Sequence, residues 1–317
     1  MSQVLGYACI NMGFSERPKK QRITTNRSMI KRTFQQRGIR YASELALLNC
    51  RDLLKIVKWN HANDIKLFRM SSDIFPWASE YNLTDLPDYN QIAATLAEVG
   101  YFVKQAGQRL TTHPDHFCKL TSPREHVICN TVRELEIHGA LMDLLNLPRS
   151  HWAKINIHVG ATYGDKPMAI DNFCRNFDLL SDAVKSRLTV ENDDRDSLYS
   201  TAELVEKIYP RIGTPIVHDI HHHLFTNRGM SQDEAMGLAA STWGDVTPVI
   251  HYSESRAKEH NDPKIRPQAH SDMIYDYIDT YDHDVHIMIE AKHKELALLH
   301  YRELHNMQNN DLLVEAA

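Results

Sequence analysis

Short apolar runs separated by longer stretches of helical period recur along nearly the whole chain, and this alternation sets the expected fold. Residues 4–11 form the first run and read as a strand. A basic segment follows, in which Thr24, Thr25, Asn26 and Arg27 read as a polar loop. Within 42–63, Leu45, Leu48, Leu53, Leu54, Ile56 and Val57 fall near helical spacing. Residues 66–71 predict a second strand, 89–107 a helix, and 109–113 a strand stopped at Pro114. Pro123 opens a longer helix and Pro148 closes it. The rhythm then becomes regular: a strand to His158, helix 167–187, a strand to Glu191, helix 200–210, a strand to His222 and helix 231–242. A strand to Ser253, a long polar loop, helix 270–280, a strand to Glu290 and helix 293–306 complete it. Eight strands alternating with helices, with no linker to divide them, predict one (β/α)8 barrel over 1–306 and a frayed tail over 307–317. An open doubly wound sheet is the alternative, but no G-x-G-x-x-G or P-loop follows any run.

A barrel gives the ends of these runs a meaning, because its active sites lie at the C-terminal ends of the strands. His113, His158, Glu191, Asp219, His251 and Glu290 all fall there, and His222 shares a short segment with Asp219. One histidine at a strand end is commonly a hydrogen-bonded structural residue. A carboxylate directly after Leu188-Thr189-Val190, or after Ile287-Met288-Ile289, is costly there without a cation or a hydrogen-bonding partner. The converging set therefore predicts a multinuclear metal centre, with Glu191, His158 and Glu290 at the heart of its catalysis. His270 is a further candidate ligand, and His218, His221 and His223 flank the set. Imidazoles and carboxylates without thiolate suit Mn²⁺ first and Zn²⁺ second. Two or three such ions suit phosphoester hydrolysis, one activating water while the others neutralise charge on phosphate and leaving oxygen.

Composition adds a partner and a setting. The 42% apolar share is enough for a sizeable core, and no run approaches the ~18 apolar residues of a membrane span. No signal-peptide pattern opens the chain, and the five scattered cysteines form no C-x-x-C, so a cytoplasmic, non-secreted protein with reduced thiols is expected. The net charge is −5, but Arg17 to Arg40 holds nine Lys or Arg and no Asp or Glu, leaving 27 basic against 41 acidic residues elsewhere. A basic segment on an acidic body is a candidate phosphate-binding patch; a solvated arm is the bland alternative.

The order of the motifs resembles the UV damage endonucleases, relatives of endonuclease IV among the metal-dependent barrels. The carrying segments are Leu5-Gly6-Tyr7 with Asn11, Thr24-Thr25-Asn26-Arg27, Leu67 to Ser72, His113-Pro114, and His158-Val159-Gly160 with Tyr163-Gly164. Glu191-Asn192-Asp193, Asp219 with His222-His223, Arg266-Pro267 with Ala269-His270, and Glu290-Ala291-Lys292 follow. The resemblance implies an enzyme that nicks DNA immediately 5′ to ultraviolet photoproducts, leaving a 3′-hydroxyl and a 5′-phosphate. It implies metal ligands at His113, His158, Glu191, Asp219, His222, His251, His270 and Glu290. Tyr7, Asn11, Asn26 and Arg27 are expected along the DNA groove, Arg69 is expected to touch DNA, and His116 and Phe117 match a pair wedged into the duplex. Damaged double-stranded DNA is the implied partner of a monomer that needs no nucleotide cofactor. Two positions depart from the family pattern. Asp115-His116 stands where Gly-Gln is usual, and Val249 stands where members often carry a lysine, modified to a carbamate in some. An endonuclease IV-like enzyme for abasic sites, a metal-dependent sugar isomerase or epimerase, and a damage-binding protein without catalysis are the alternatives.

Overall fold

The computed structural model describes residues 3–115 and 117–306, so His116 and the tail 307–317 lie outside the described residues. Eight parallel strands form the expected (β/α)8 barrel: β1 (Val4–Cys9), β2 (Leu67–Met70), β3 (Arg109–Thr112), β4 (Ile155–His158), β5 (Leu188–Glu191), β6 (Ile216–Val217), β7 (Val249–Tyr252) and β8 (His286–Ile289). They pair in the order β6-β5-β4-β3-β2-β1-β8-β7. The ring closes between β6 and β7, where His251 N–H donates to the His218 carbonyl at 2.9 Å and Asp219 bridges to His251. Strands this short suffice because each is buried on both faces, which is why their sequences read as almost unbroken apolar runs.

Alternation along the strands separates two apolar layers. The large core lies between strands and helices, with Leu5, Phe68, Leu110, Ile155, Ile157, Val190 and Ile287 among its members. A smaller cluster of Ala8, Leu67, Val217, Trp243, Val249 and Met288 fills the barrel interior. Fully buried Arg109 sits with this interior layer, stacking on Trp152 at 4.5 Å and donating to the carbonyls of His151, Trp152 and Thr247 at 2.7–3.0 Å. Those three carbonyls and the Trp152 and Trp243 indoles, at 4.5 and 5.7 Å, satisfy its guanidinium, which forms no ion pair with a carboxylate among the described residues.

Three segments depart from the pattern-based expectation, each because a side chain captured backbone N–H groups. The expected strand 215–223 ends at Val217, because the Asp219 side chain accepts from His222 N–H at 2.7 Å and caps the helix Ile220–Thr226. The expected helix 270–280 is irregular. Its backbone donors go instead to Glu259, which takes Asp272 and Met273 at 2.6 and 2.9 Å, and to Glu254, which takes Tyr275 and Asp276 at 2.8 and 2.9 Å. The expected helix 167–187 breaks into Lys166–Phe177 and Asp182–Lys185, with Ser181 N–H donating to Glu136 at 2.7 Å. In the opposite sense, the helix expected from 42 begins at Lys31, with an interruption at Gly38, whose φ of 64° lies in the left-handed region.

Close approach of one helix to a loop depends on Gly100 in the helix Tyr89–Gln105. A Cβ there would lie 1.7 Å from the Leu145 carbonyl oxygen, a backbone atom that cannot swing away. Gly100→Ala should therefore destabilise by about 1–3 kcal/mol through overpacking. Urea unfolding checks this, and a midpoint equal to wild type would contradict it.

Candidate metal centre

Inward-pointing residues at the C-terminal ends of six strands, and on the loops that follow, meet in one cluster. Glu191 at the end of β5 is its centre and is 1% exposed. Three imidazoles surround it: His113 Nε2 at 3.4 Å, His222 Nδ1 at 3.4 Å and His251 Nδ1 at 3.1 Å. His251 Nδ1 is equally close to Glu290, at 3.1 Å. His158 joins from β4, its ring 5.6 Å from that of His113 and 5.7 Å from that of His222. His270 reaches in from the loop after β7, its Nδ1 3.7 Å from Glu290. Asp219 completes the set, fully buried beside His222. All eight expected ligands thus come together.

A common device aims the imidazoles. His113, His222 and His270 each place Nδ1 against a backbone carbonyl, of Pro114 at 2.9 Å, Asn192 at 3.0 Å and Glu290 at 3.0 Å. A ring whose Nδ1–H donates to a carbonyl leaves Nε2 as a free lone pair, the arrangement that metal-ligating histidines use. The carboxylates are held too. Asn156 donates to Glu191 and accepts from Thr189 Oγ1 at 2.8 Å, and Asn192 accepts from Asp219 N–H at 2.7 Å. Asn156, Asn192 and the buried Lys154 escaped sequence reading, although Lys154, Asn156 and His158 recur with a period of two inside an apolar run. That recurrence marks a polar stripe facing the barrel interior.

Electrostatics follow from burying so many charges together. Burial works against ionised Glu191, yet the His251 and His158 imidazoles hold it well below the usual carboxylate range. Burial likewise opposes ionised Glu290, but the Arg69 guanidinium against it keeps its carboxyl low. Asp219 has no such cation beyond His222, and burial pushes it up to about 7. Burial opposes the His158 imidazolium as well, but Glu191 and Asp193 raise it to about 10. Burial, with Arg69 and Arg109 adding to it against the pull of Glu191 and Glu290, pushes Lys154 down to about 7, and burial takes His251 beside it to about 4.

The donor set fits divalent cations. Asp219 Oδ2, His158 Nδ1 and His251 Nδ1 are buried without a hydrogen-bond partner. Ligand atoms of His113, His158 and Glu191, and of Glu191, Asp219 and His251, lie within 4.8 Å of one another in two groups that share Glu191. A third grouping, Glu259, His260 and Asp272, lies apart and already holds Arg256, 3.3 Å from Asp272. The flanking histidines have other tasks: His218 spans Thr201 and Gln232 at 2.9 Å each, His223 meets the Met230 carbonyl, and His221 packs on Phe225.

The expected DNA-facing residues divide. Phe117 is 69% exposed, beyond the His113-Pro114 step. Asp115, two residues before it, shares a cavity wall with Asp73 and Glu134, and burial together with the Asp115 and Glu134 charges raises the Asp73 carboxyl. Arg17, Lys19, Lys20, Arg22, Lys31, Arg32, Arg37 and Arg40 are exposed. Arg27 is instead committed internally, to Asp52 at 2.5 Å and to the carbonyls of Thr24 and Arg22 at 2.6 and 2.9 Å. Asn26 lies in the same turn, accepting from Thr24 Oγ1. Tyr7 is buried and donates to Asn60 at 2.8 Å, while buried Asn11 caps the short helix Met12–Ser15. Arg69 lies inside the barrel against Glu290. Val249 is buried in the interior layer, and the amine beside His251 comes from Lys154.

Fold and site define a (β/α)8 barrel with a histidine–carboxylate cluster at its C-terminal mouth. Comparison with known proteins specifies it further. The sequence model of the family described as UV-endonuclease UvdE matches residues 3–316, and the chain belongs to that family. It is 33% identical to the UV-damage endonuclease of Schizosaccharomyces pombe over 96% of this chain and 51% of the relative. It is 30% identical to the putative UV-damage endonuclease of Acanthamoeba polyphaga mimivirus, over 93% of this chain and 89% of the relative. The chain spans about half the length of the Schizosaccharomyces pombe relative and 41% of a UV-damage endonuclease from Neurospora crassa. Among solved structures, SacUVDE superposes with a TM-score of 0.82 at 27% identity, covering 96% of this chain and 98% of that one. A 3-keto-D-glucoside 4-epimerase from E. coli aligns at a TM-score of 0.54 and 11% identity, a likeness of fold alone. Among the described residues, no helix is long and apolar enough to cross a membrane.

Asn156 offers a direct check on how the cluster is held. Asn156→Ala should weaken divalent-metal binding by about 10–100-fold, the usual cost of losing a partner that orients a ligand. Calorimetric titration with Mn²⁺ measures it, and unchanged affinity would mean that Glu191 needs no such support.

Proposed function

We propose that this chain is a metal-dependent DNA repair endonuclease that cuts the phosphodiester 5′ to ultraviolet photoproducts, leaving a 3′-hydroxyl and a 5′-phosphate. One observation carries the proposal: eight histidines and carboxylates converge at the barrel mouth of a UV-endonuclease family member. His113, His158, Glu191, Asp219, His222, His251, His270 and Glu290 would hold two or three divalent ions, Mn²⁺ in preference to Zn²⁺. When bound, such ions activate water as hydroxide and neutralise charge on the phosphate and the leaving oxygen. Glu191 belongs to both ligand groups, which supports reading it as the residue that would contribute to more than one ion. The carbonyl-anchored rings of His113, His222 and His270 supply fixed Nε2 donors, so little reorganisation is needed on loading.

The surroundings supply recognition. Eight exposed cations of the 17–40 segment would track the phosphate backbone, an attraction that weakens as salt rises. Arg27 contributes by holding the turn among them through Asp52 and the Thr24 and Arg22 carbonyls, and Asn11 by capping the helix Met12–Ser15 that precedes them. Phe117, with His116 beside it in sequence, would insert at the lesion. A photodimer is already poorly stacked, so opening it costs less than opening a normal step. Selection then rests on deformability more than on base-edge hydrogen bonds. The protein would act as a monomer, without a nucleotide cofactor.

A nicking assay on ultraviolet-irradiated, abasic and intact plasmid, with Mn²⁺ or with chelator, tests the proposal. Nicking of irradiated plasmid that chelator abolishes is expected. Preferential nicking of abasic plasmid would instead assign an endonuclease IV-like specificity, and binding without nicking in any metal would refute catalysis. Glu191→Gln should lower incision by more than about 100-fold, beyond the usual cost of an outer-sphere loss, while leaving affinity for irradiated DNA in gel shifts nearly intact. Phe117→Ala should reduce discrimination between damaged and intact duplex by at least about fivefold, given roughly 1–3 kcal/mol for base–aromatic stacking. Unchanged discrimination would place the wedge elsewhere.

A further inference from the structure

His251 is the exception among the aimed histidines. Its Nδ1 faces Glu191 and Glu290, each at 3.1 Å, and its Nε2 lies 3.0 Å from Lys154 Nζ. No backbone carbonyl takes its second nitrogen, as Pro114, Asn192 and Glu290 do for His113, His222 and His270. Both partners are fully buried, so water cannot substitute for either. Lys154 precedes β4 and His251 lies on β7, so the contact crosses the barrel interior and joins strands three places apart around the ring. Among the described residues the Lys154 amine forms no ion pair with a carboxylate, and its hydrogen-bond partner is His251.

We propose that Lys154 is the positioning residue of His251: its amine fixes the ring so that Nδ1 is held between Glu191 and Glu290, as backbone carbonyls fix the other three rings. The inference rests on the metal-centre reading above and names a device within it. Three features carry it: the Nζ–Nε2 distance, the reversed use of the two ring nitrogens, and the burial of both side chains. Val249, one inward position below His251, contributes only apolar packing, so the amine has no competitor from the strand that bears the histidine. Removing the amine would leave Nε2 without a partner in a dry site, and the ring would be free to turn its donor away from the carboxylates.

The test is a double-mutant cycle read by Mn²⁺ calorimetry. Lys154→Met keeps the aliphatic length and should weaken Mn²⁺ binding by roughly 10–100-fold. Lys154→Gln, which retains a hydrogen-bonding head group, should recover part of that loss. In a His251→Ala background Lys154→Met should have almost no further effect, because a residue acting through His251 loses its object when His251 is gone. Wild-type affinity in Lys154→Met, or an equal penalty with and without His251, would overturn the inference and leave the metal centre standing. Wild-type protein that binds no Mn²⁺ would overturn the metal-centre reading and this inference with it. Should the variants fold poorly, ring ¹⁵N shifts of the metal-free wild type decide the matter. A single fixed tautomer for His251 supports the anchor, and shifts averaged over two tautomers refute it.

Discussion

Everything at the mouth of this barrel is arranged around the difficulty of keeping three carboxylates, Glu191, Asp219 and Glu290, in a nearly dry space. A buried anion is tolerated only with charge or hydrogen bonds to offset its lost hydration. Here the offset is assembled from five imidazoles, the Arg69 guanidinium, the Asn156 amide and the His222 backbone N–H, which come from different strands and loops. Arg69 matches Glu290 directly, His158 carries a proton to high pH beside Glu191 and Asp193, and Asp219 is left with one bare oxygen. Ligand atoms already converge in the cluster, so binding of a divalent cation would be coupled to release of the imidazole and carboxyl protons held there.

The barrel supplies the rigidity that this balance needs. Asp219 caps a helix and bridges to β7, so the closure of the ring and the placing of a ligand are one structural event. Below the cluster, Lys154 crosses the interior, and lower still Arg109 pins carbonyls between two indoles. Lys154, Asn156 and His158 alternate along one strand from that interior to the mouth, where Lys154 meets His251 and Asn156 donates to Glu191. Outside, the 17–40 segment is pinned through Arg27 and Asp52, which leaves its other cations facing solvent.

Much of this was legible in the chain. Residues that end apolar runs, such as His158, Glu191 and Glu290, could be placed because a barrel brings strand ends to one face. What escaped was decided by side chain to backbone competition, to which periodicity is blind. Asp219 stops its strand by capping a helix, and Glu254 and Glu259 absorb the N–H groups that a helix over 270–280 would have used. Arg27 and Arg69 read as free cations because sequence shows charge without its partner, and both partners lie far along the chain, at Asp52 and Glu290. Lys154 and Asn156 were hidden by the apolar residues between them, although their spacing of two held the signal.

The central claim is that this cluster exists to hold divalent ions through Glu191. Metal content of the purified protein, measured by mass spectrometry after equilibration with Mn²⁺ and gel filtration, tests it most directly. The account predicts about two to three ions per wild-type chain and a clear loss in Glu191→Gln. Wild-type protein that retains no stoichiometric metal, or a Glu191→Gln variant that retains the full complement, would contradict it.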